Sequence, residues 1–377
     1  MSLYVLKFGG SSVATTARIQ HVAEIIIKHI NDGHKVVVVT SAMQGVTNKL
    51  IELTKAFSNS SRDREYDAVI SSGEHVAAGL LALAIKSNGF SACSLTSWQV
   101  PINVTEAYSI AEITNVETHK IRKLLGEGII PVITGFQGIS NNQNICTIGR
   151  GGSDATACAV SKAINADKCF IYTDVDGVYT ADPRIVLDAK KISEISYDDM
   201  LEMAMWGSKV LQAKSVQIAK EYRVELTVLS SFNDCNGTMI SDKTYNNLDN
   251  KIVGIAHNLD LFAINLPSDI VLNKLSKYVD MLKIFDNITF APKDLYHEIC
   301  KKMEDTNAFD SDVGTVTLVG DCSGVSESDM AEIYDKYDIK HVIQSDRFIT
   351  FVSSYQNTVP IVIALHNKFV LLKEVIN

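Results

Sequence analysis

The sequence has no C-x-x-C pair, no histidines at metal-ligand spacing, no basic cluster and no G-x-S-x-G turn. Each absence removes a class of function. The seven cysteines (Cys93, Cys146, Cys158, Cys169, Cys235, Cys300 and Cys322) are odd in number and scattered. That argues against a disulfide framework or structural zinc and fits a reducing, cytoplasmic setting. Most of them read as small core hydrophobes. His75, His119 and the other histidines set up no metal site, so no protein-held metal is expected. The net charge is −9 with no basic stripe, which excludes nucleic acid as an expected partner. No apolar run approaches about 18 residues, so no membrane span is expected. The N-terminus enters a strand at once, so no signal peptide is expected either. Without a nucleophile motif, direct transfer is simpler than a covalent enzyme intermediate.

What is present points to an ordinary globular chain. Its 377 residues are 46% apolar, enough for about two or three domains with a sizeable core. Leu3–Phe8 and Lys35–Thr40 read as buried strands. Between them Ile19, Val22, Ala23, Ile26, Ile27 and Ile30 recur at helical spacing, which makes a βαβ unit. Further strands are expected at Ile129–Ile133 and Lys168–Tyr172. Helices are expected over Asn48–Phe57, Glu65–Ser87, Val116–Glu127 and Ser153–Asn165. This alternation predicts an α/β fold with an open, largely parallel sheet, whose ligands sit at the carboxyl ends of the strands. The polar run Asp234–Asn250 reads as a domain boundary. Beyond it, strand-like Leu261–Leu266, Gly314–Val319 and Phe348–Val352 alternate with helical Lys293–Met303 and Ser326–Lys336. That predicts two small α+β units in tandem.

Two glycine-rich loops carry the chemistry. Lys7-Phe8-Gly9-Gly10-Ser11-Ser12 is neither a P-loop nor G-x-G-x-x-G. Its glycines still let backbone N–H groups approach phosphate oxygens, and Lys7 can balance charge on a transferring phosphoryl group. A tight turn after a strand accounts for the glycine pair equally well. Gly149-Arg150-Gly151-Gly152-Ser153-Asp154 precedes a helix that Ser153 or Asp154 is placed to cap. Three glycines around one arginine exceed what a cap requires, and suit a carboxylate or phosphate.

Weaker signals surround them. Thr173 to Arg184 (TDVDGVYTADPR) is a double-turn excursion in which Asp174, Tyr179 and Arg184 are placed to meet ribose, base and phosphate. Gly73 inside a helix costs about 1 kcal/mol against alanine, so a packing or access reason is expected. Glu74 beside it reads either as a solvated helix residue or as a ligand for an ammonium group. Ser41 to Asn48 ends a strand and starts a helix, with Thr47 the expected N-cap.

Together the segments KFGGSSV (7–13), SAMQGVTN (41–48), SGE (72–74), GFQG (135–138), TIGRGGSDATA (147–157) and YTDVDGVYTADPR (172–184) resemble the aspartate kinases of the amino-acid-kinase superfamily. The resemblance continues through ISYDDMLEMAMWGSKVL at 195–211 and covers residues 1 to about 240. It implies a three-layer amino-acid-kinase fold over 1–235, followed by two ACT-like units over 250–377 that meet near 305–313. It implies the phosphorylation of L-aspartate by ATP with Mg²⁺, at the head of lysine, threonine, methionine and diaminopimelate synthesis. It gives Lys7, with Gly9, Gly10 and Ser11, the β- and γ-phosphates. Glu74 takes the α-ammonium of aspartate, Arg150 its α-carboxylate, and Ser41 and Thr47 help to hold it. Ser153 and Asp154 orient substrate or the catalytic lysine, so Lys7 and Asp154 form the catalytic pair. Thr173, Asp174, Tyr179, Arg184, Lys209 and Val210 line the nucleotide site.

Two departures stand out. Gln212-Ala213-Lys214 replaces the family's usual His-Pro-Arg. The first ACT-like stretch keeps only Asn258–Lys277 between its matching pieces and lacks the Pro-Gly turn that binds an effector. Homodimerisation through the ACT-like half is expected, with little or no feedback by lysine or threonine. A different phosphotransferase of the same fold, such as a glutamate 5-kinase, or a non-catalytic ACT-linked sensor are the competing readings.

Overall fold

The computed structural model describes residues 1–58, 60–242, 252–275, 282–285, 287–303 and 308–371. Part of the polar run after Asp234, the piece Tyr278–Met281 that follows the shortened ACT-like stretch, and part of the expected boundary near 305–313 lie outside them. The chain forms two compact units. The first takes Met1–Val178, Lys191–Leu201 and Val210–Tyr245, and the second takes Tyr179–Lys190, Glu202–Lys209 and Asn246–Asn377.

The first unit opens with β1 (Leu3–Phe8), α1 (Thr16–Asn31), β2 (Lys35–Thr40), α2 (Val46–Lys55), α3 (Arg64–Ile70) and α4 (Ser72–Ser87). It continues through β3 (Ala92–Leu95), β4 (Ile102–Val104), β5 (Ile113–Val116), α5 (His119–Gly126), β6 (Ile130–Thr134), β7 (Gln137–Ile139), β8 (Ile145–Thr147), α6 (Gly152–Ile164) and β9 (Lys168–Thr173). An eight-stranded sheet runs in the order Glu194–Ser196, Thr238–Ser241, Leu226–Ser230, β9, β1, β2, β6, β3. Only the Leu226–Ser230 and Thr238–Ser241 pair is antiparallel. The polar run Asp234–Asn250, read as a domain boundary, holds a strand of this sheet, and the division between the two units falls inside it, after Tyr245. Alternate residues of β1 and β2 (Leu6, Phe8, Val36, Val38) pack on Ile19, Val22 and Ile26 of α1 and Ala78, Leu81 and Ile85 of α4. Their neighbours Val5, Val37 and Val39 are also fully buried. Both faces are covered, which is why these strands read as unbroken apolar runs.

The stretch Arg64–Ser87, 24 residues, is long and apolar enough by length and composition to cross a membrane. The expectation that no run approaches that length missed it, because charges interrupt it. In the structure it is a pair of core helices parted by Ser71, and its buried side carries Asp67 and Glu74.

The second unit contains two four-stranded sheets. One is Ile252–Asn258, Gly314–Gly320, Phe348–Ser353 and Ile339–Gln344; the other is Lys283–Phe285, Ile288–Pro292, Leu261–Ile264 and Phe309–Asp310. The two α+β pieces are thus not in tandem. The first strand, Ile252–Asn258, pairs with Gly314–Gly320, and the piece from Leu261 to Asp310 is inserted between them. Sequence order hides this, since the pairing partners lie some 60 residues apart.

Candidate active site

β1 ends at Phe8, and the glycine loop that follows is tied down by backbone bonds. Gly9 N–H donates to the Tyr172 carbonyl at 3.0 Å, Ser12 N–H to Gly9 at 3.0 Å, and Gln44 N–H to Gly10 at 3.1 Å. A Cβ at Gly10 would lie 3.0 Å from the Ala42 carbonyl oxygen, so the loop and the 41–47 turn approach as closely as glycine permits. Behind the loop, Ser231 Oγ donates to Ser12 Oγ at 2.8 Å, and Arg18 donates to the Ser231 carbonyl at 2.5 Å.

Lys7 projects from β1 into a cleft of about 410 Å³, which Gly10, Ser41, Thr47, Glu74, Arg150, Ser153 and Asp154 also line. Its Nζ lies 2.6 Å from Asp154 Oδ1, and the two side chains are 9% and 12% exposed. Asp154 sits in the first turn of α6. The cap of that helix is Gly151, at φ +74°, with no side-chain hydrogen bond to the first-turn amides. The capping role expected of Ser153 or Asp154 therefore fails, and the helix N-terminus keeps its positive end for a ligand. Thr47 fails as a cap in the same way: α2 starts at Val46 behind Gly45, at φ +78°. Thr47 instead lines the cleft.

Glu74 is not a solvated helix residue. It is 3% exposed, and its Oε1 accepts from Ala42 N–H at 3.0 Å. Its Oε2 is buried without a protein partner. Burial raises its pKa to about 7, against the smaller opposing effect of the Ala42 bond. Gly73 supplies the access: a Cβ there would come 2.8 Å from Ala42 Cβ, so glycine lets α4 approach the 41–47 turn.

The nucleotide-side expectations divide. Thr173 and Asp174 stand at the end of β9, beside β1, where Thr173 Oγ1 donates to Asp174 at 3.0 Å. Gly9, Ser11 and Val210 also belong to the first unit but lie outside the cleft lining. Tyr179, Arg184 and Lys209 fall in the second unit. There the Arg184 guanidinium pairs with Asp182 at 2.6 Å, and Lys209 pairs with Asp260 at 3.0 Å. Among the described residues no cluster of His, Cys, Asp or Glu fits a metal ion.

Phe136 and Gln212 are among the cleft residues that sequence reasoning did not name as site residues. Phe136 lines the wall at φ +70°, within the GFQG match, and Gln212 lies against Gly151. The Gln212 signal was its departure from the usual histidine.

A family model described as amino acid kinase family matches residues 2–230. The chain belongs to the amino acid kinase family. Among its relatives, the aspartokinase of Geobacillus stearothermophilus is 48% identical over 243 residues, 64% of this chain and 60% of that one. The aspartate kinase of Pseudomonas putida is 46% identical over 261 residues, 69% of this chain and 64% of that one. The chain thus spans 60–64% of the length of these relatives. Among solved structures, Escherichia coli aspartokinase III in complex with aspartate and ADP superimposes with a TM-score of 0.80 at 22% identity, covering 97% of this chain and 99% of that one. The aspartate kinase of Clostridium acetobutylicum gives 0.68 at 21% identity, covering 97% and 100%. These likenesses show that the amino acid kinase fold and the smaller C-terminal sheets occur together in known proteins.

Proposed function

We propose that this chain is an aspartate kinase, transferring the γ-phosphoryl group of ATP to the β-carboxylate of L-aspartate and releasing 4-phospho-L-aspartate and ADP. The observation that carries this reading is the cleft. It sets a buried carboxylate with one unpartnered oxygen, Glu74, in one cavity with Arg150 and the ion-paired Lys7. An amino acid's ammonium and α-carboxylate complement Glu74 and Arg150, while Ser41, Thr47 and Ser153 supply polar contacts. The acceptor carboxylate is already ionised at neutral pH, so no general base is required. Catalysis reduces to alignment and to offsetting repulsion between anions, the task of Lys7 held in place by Asp154.

We assign the phosphates to Lys7, Gly9, Gly10 and Ser11, and the nucleoside side to Thr173, Asp174 and Val210. For Tyr179, Arg184 and Lys209 the motif resemblance alone supports a nucleotide role. Mg²⁺, when bound, neutralises phosphate charge. A homodimer formed through the second unit and a cytoplasmic location complete the proposal.

The test is ATP- and Mg²⁺-dependent acyl phosphate formation, trapped as the hydroxamate. Product from aspartate, absent with glutamate and lost in Lys7→Ala, is the expected result. Turnover with glutamate alone would overturn the acceptor assignment. No product from either, in folded protein, would favour a non-catalytic sensor.

A further inference from the structure

We propose that Asp67 is a positioning residue that fixes the arginine-bearing loop against the helices presenting Glu74. The proposal deepens, and rests on, the aspartate kinase reading. Asp67 is not among the residues that line the cleft, yet it is wholly buried and accepts hydrogen bonds from two distant segments. Thr147 donates its N–H at 2.6 Å and its hydroxyl at 2.9 Å, and Ser109 donates its N–H at 2.9 Å; the Ser109 hydroxyl lies 3.0 Å away, its one proton shared between Asp67 and the Ser61 carbonyl. A carboxylate accepts from all of these groups and brings no donor of its own.

The contacts run on to the site in both directions. Ala111 N–H donates to the Thr147 carbonyl at 3.0 Å. From the other side Lys214 donates to the Ala111 carbonyl at 3.2 Å and the Ile148 carbonyl at 3.0 Å. The next residue, Gly149, is at φ +84°, and a Cβ there would lie 2.8 Å from the Ser109 carbonyl oxygen. Arg150 follows directly. Toward Glu74, Ser71 N–H donates to the Asp67 carbonyl at 3.1 Å, and Gln137 Nε2 donates to the Ser71 carbonyl at 2.9 Å. Ser71 is the single residue between α3 and α4. Asp67 thus joins the loop that carries Arg150 to the helix that carries Glu74. It sets the spacing between the groups that meet the two ends of an amino-acid head group.

The test compares Asp67→Asn with the wild type. Asparagine keeps the shape but offers one carbonyl oxygen in place of two, so its amide NH2 must face either the pair of N–H donors or the pair of hydroxyls. The expected result is a KM for aspartate raised about tenfold or more, with kcat and the KM for ATP changed less than about threefold. Thr147→Val removes one donor at constant shape, and is expected to raise the same KM by a smaller factor, with Thr147→Ser restoring it. If Asp67→Asn does not fold, this pair decides the case. Hydrogen exchange of amides 147–152 is read in parallel, with faster exchange expected in Asp67→Asn and Thr147→Val. Unchanged exchange and KM, or a fall in kcat without a rise in KM, would overturn the proposal. So would Thr147→Ser behaving no better than Thr147→Val. If the wild type makes no aspartyl phosphate, the kinase reading falls, and the exchange data still decide whether Asp67 holds the loop.

Discussion

Lys7 and Asp154 meet at 2.6 Å across the sheet–helix junction, the lysine on β1 and the aspartate in the first turn of α6. The ammonium is therefore aimed before any ligand arrives, and no reorganisation is needed when charge develops on a transferring group. Lys7→Ala is expected to lower kcat about a thousandfold or more. Asp154→Asn is expected to lower it by about a hundredfold with little change in the KM for aspartate. Because each change leaves a nearly buried charge or cavity behind, either costs on the order of 3 kcal/mol of stability. Steady-state kinetics and urea unfolding of the two variants check this.

Glu74 gives a pH signature with a definite sign. Its folded pKa is raised from 4.5 to about 7, so the protonated form is the one that folding favours. The stability it contributes is present below the unfolded value and is lost as pH rises from 4.5 through about 7, a difference on the order of 3 kcal/mol. Glu74→Gln is expected to flatten that slope in the ligand-free protein, measured as Tm between pH 5 and 8. An ammonium ligand needs the ionised form. As pH rises toward about 7 the KM for aspartate should therefore fall about tenfold per pH unit, then level off, and Glu74→Gln should lose this limb.

Gly73 tests the access argument. In Gly73→Ala the new methyl group would meet Ala42 Cβ at 2.8 Å and Val46 Cγ1 at 3.1 Å, forcing the 41–47 turn away from Glu74. The expected cost is about 1–3 kcal/mol, with a raised KM for aspartate. Gly79, on the same helix, is the control, since a Cβ added there would meet nothing within 4 Å. Gly79→Ala should be neutral or stabilising by about 1 kcal/mol. Equal behaviour of the two variants would remove the steric explanation.

The shortened stretch Asn258–Lys277, without a Pro-Gly turn, leads to an expectation about regulation. Lysine and threonine, alone or together at millimolar levels, should leave the rate within about twofold, while light scattering should show a dimer. Strong inhibition by either amino acid would contradict the first expectation, and a monomer the second.

Much of this was legible in the chain, and the exceptions share causes. β1 and β2 announced themselves because strands covered on both faces are apolar throughout. The cleft residues were legible through motif resemblance, and the structure gathers Lys7, Ser41, Thr47, Glu74, Arg150, Ser153 and Asp154 in one place. Spacing misplaces the helix caps because it locates a helix, whereas Gly45 and Gly151 at positive φ decide where it begins. Glu74 looked exposed because α4 buries small residues (Gly73, Ala77, Ala78) that give a weak apolar stripe. Asp67 gave no signal at all, since a lone aspartate in a helix does not reveal that Ser109 and Thr147 will converge on it.

The interleaving in the second unit has a consequence for how the chain can be cut. Asn258 and Thr315 are direct partners in adjacent antiparallel strands, so the intervening segment leaves and re-enters the sheet at a single point. In topological terms the strands Ile252–Asn258 and Gly314–Gly320 form a hairpin whose turn has grown into a folded piece of its own. Exchanging that piece for a short turn would uncover Val352 of the outer sheet, which shares a core with Leu261, Ala263, Ile288 and Phe290 of the piece. A truncation anywhere between its ends would leave Ile252–Asn258, an edge strand of this sheet, without its partner Gly314–Gly320 and ready to pair with another chain.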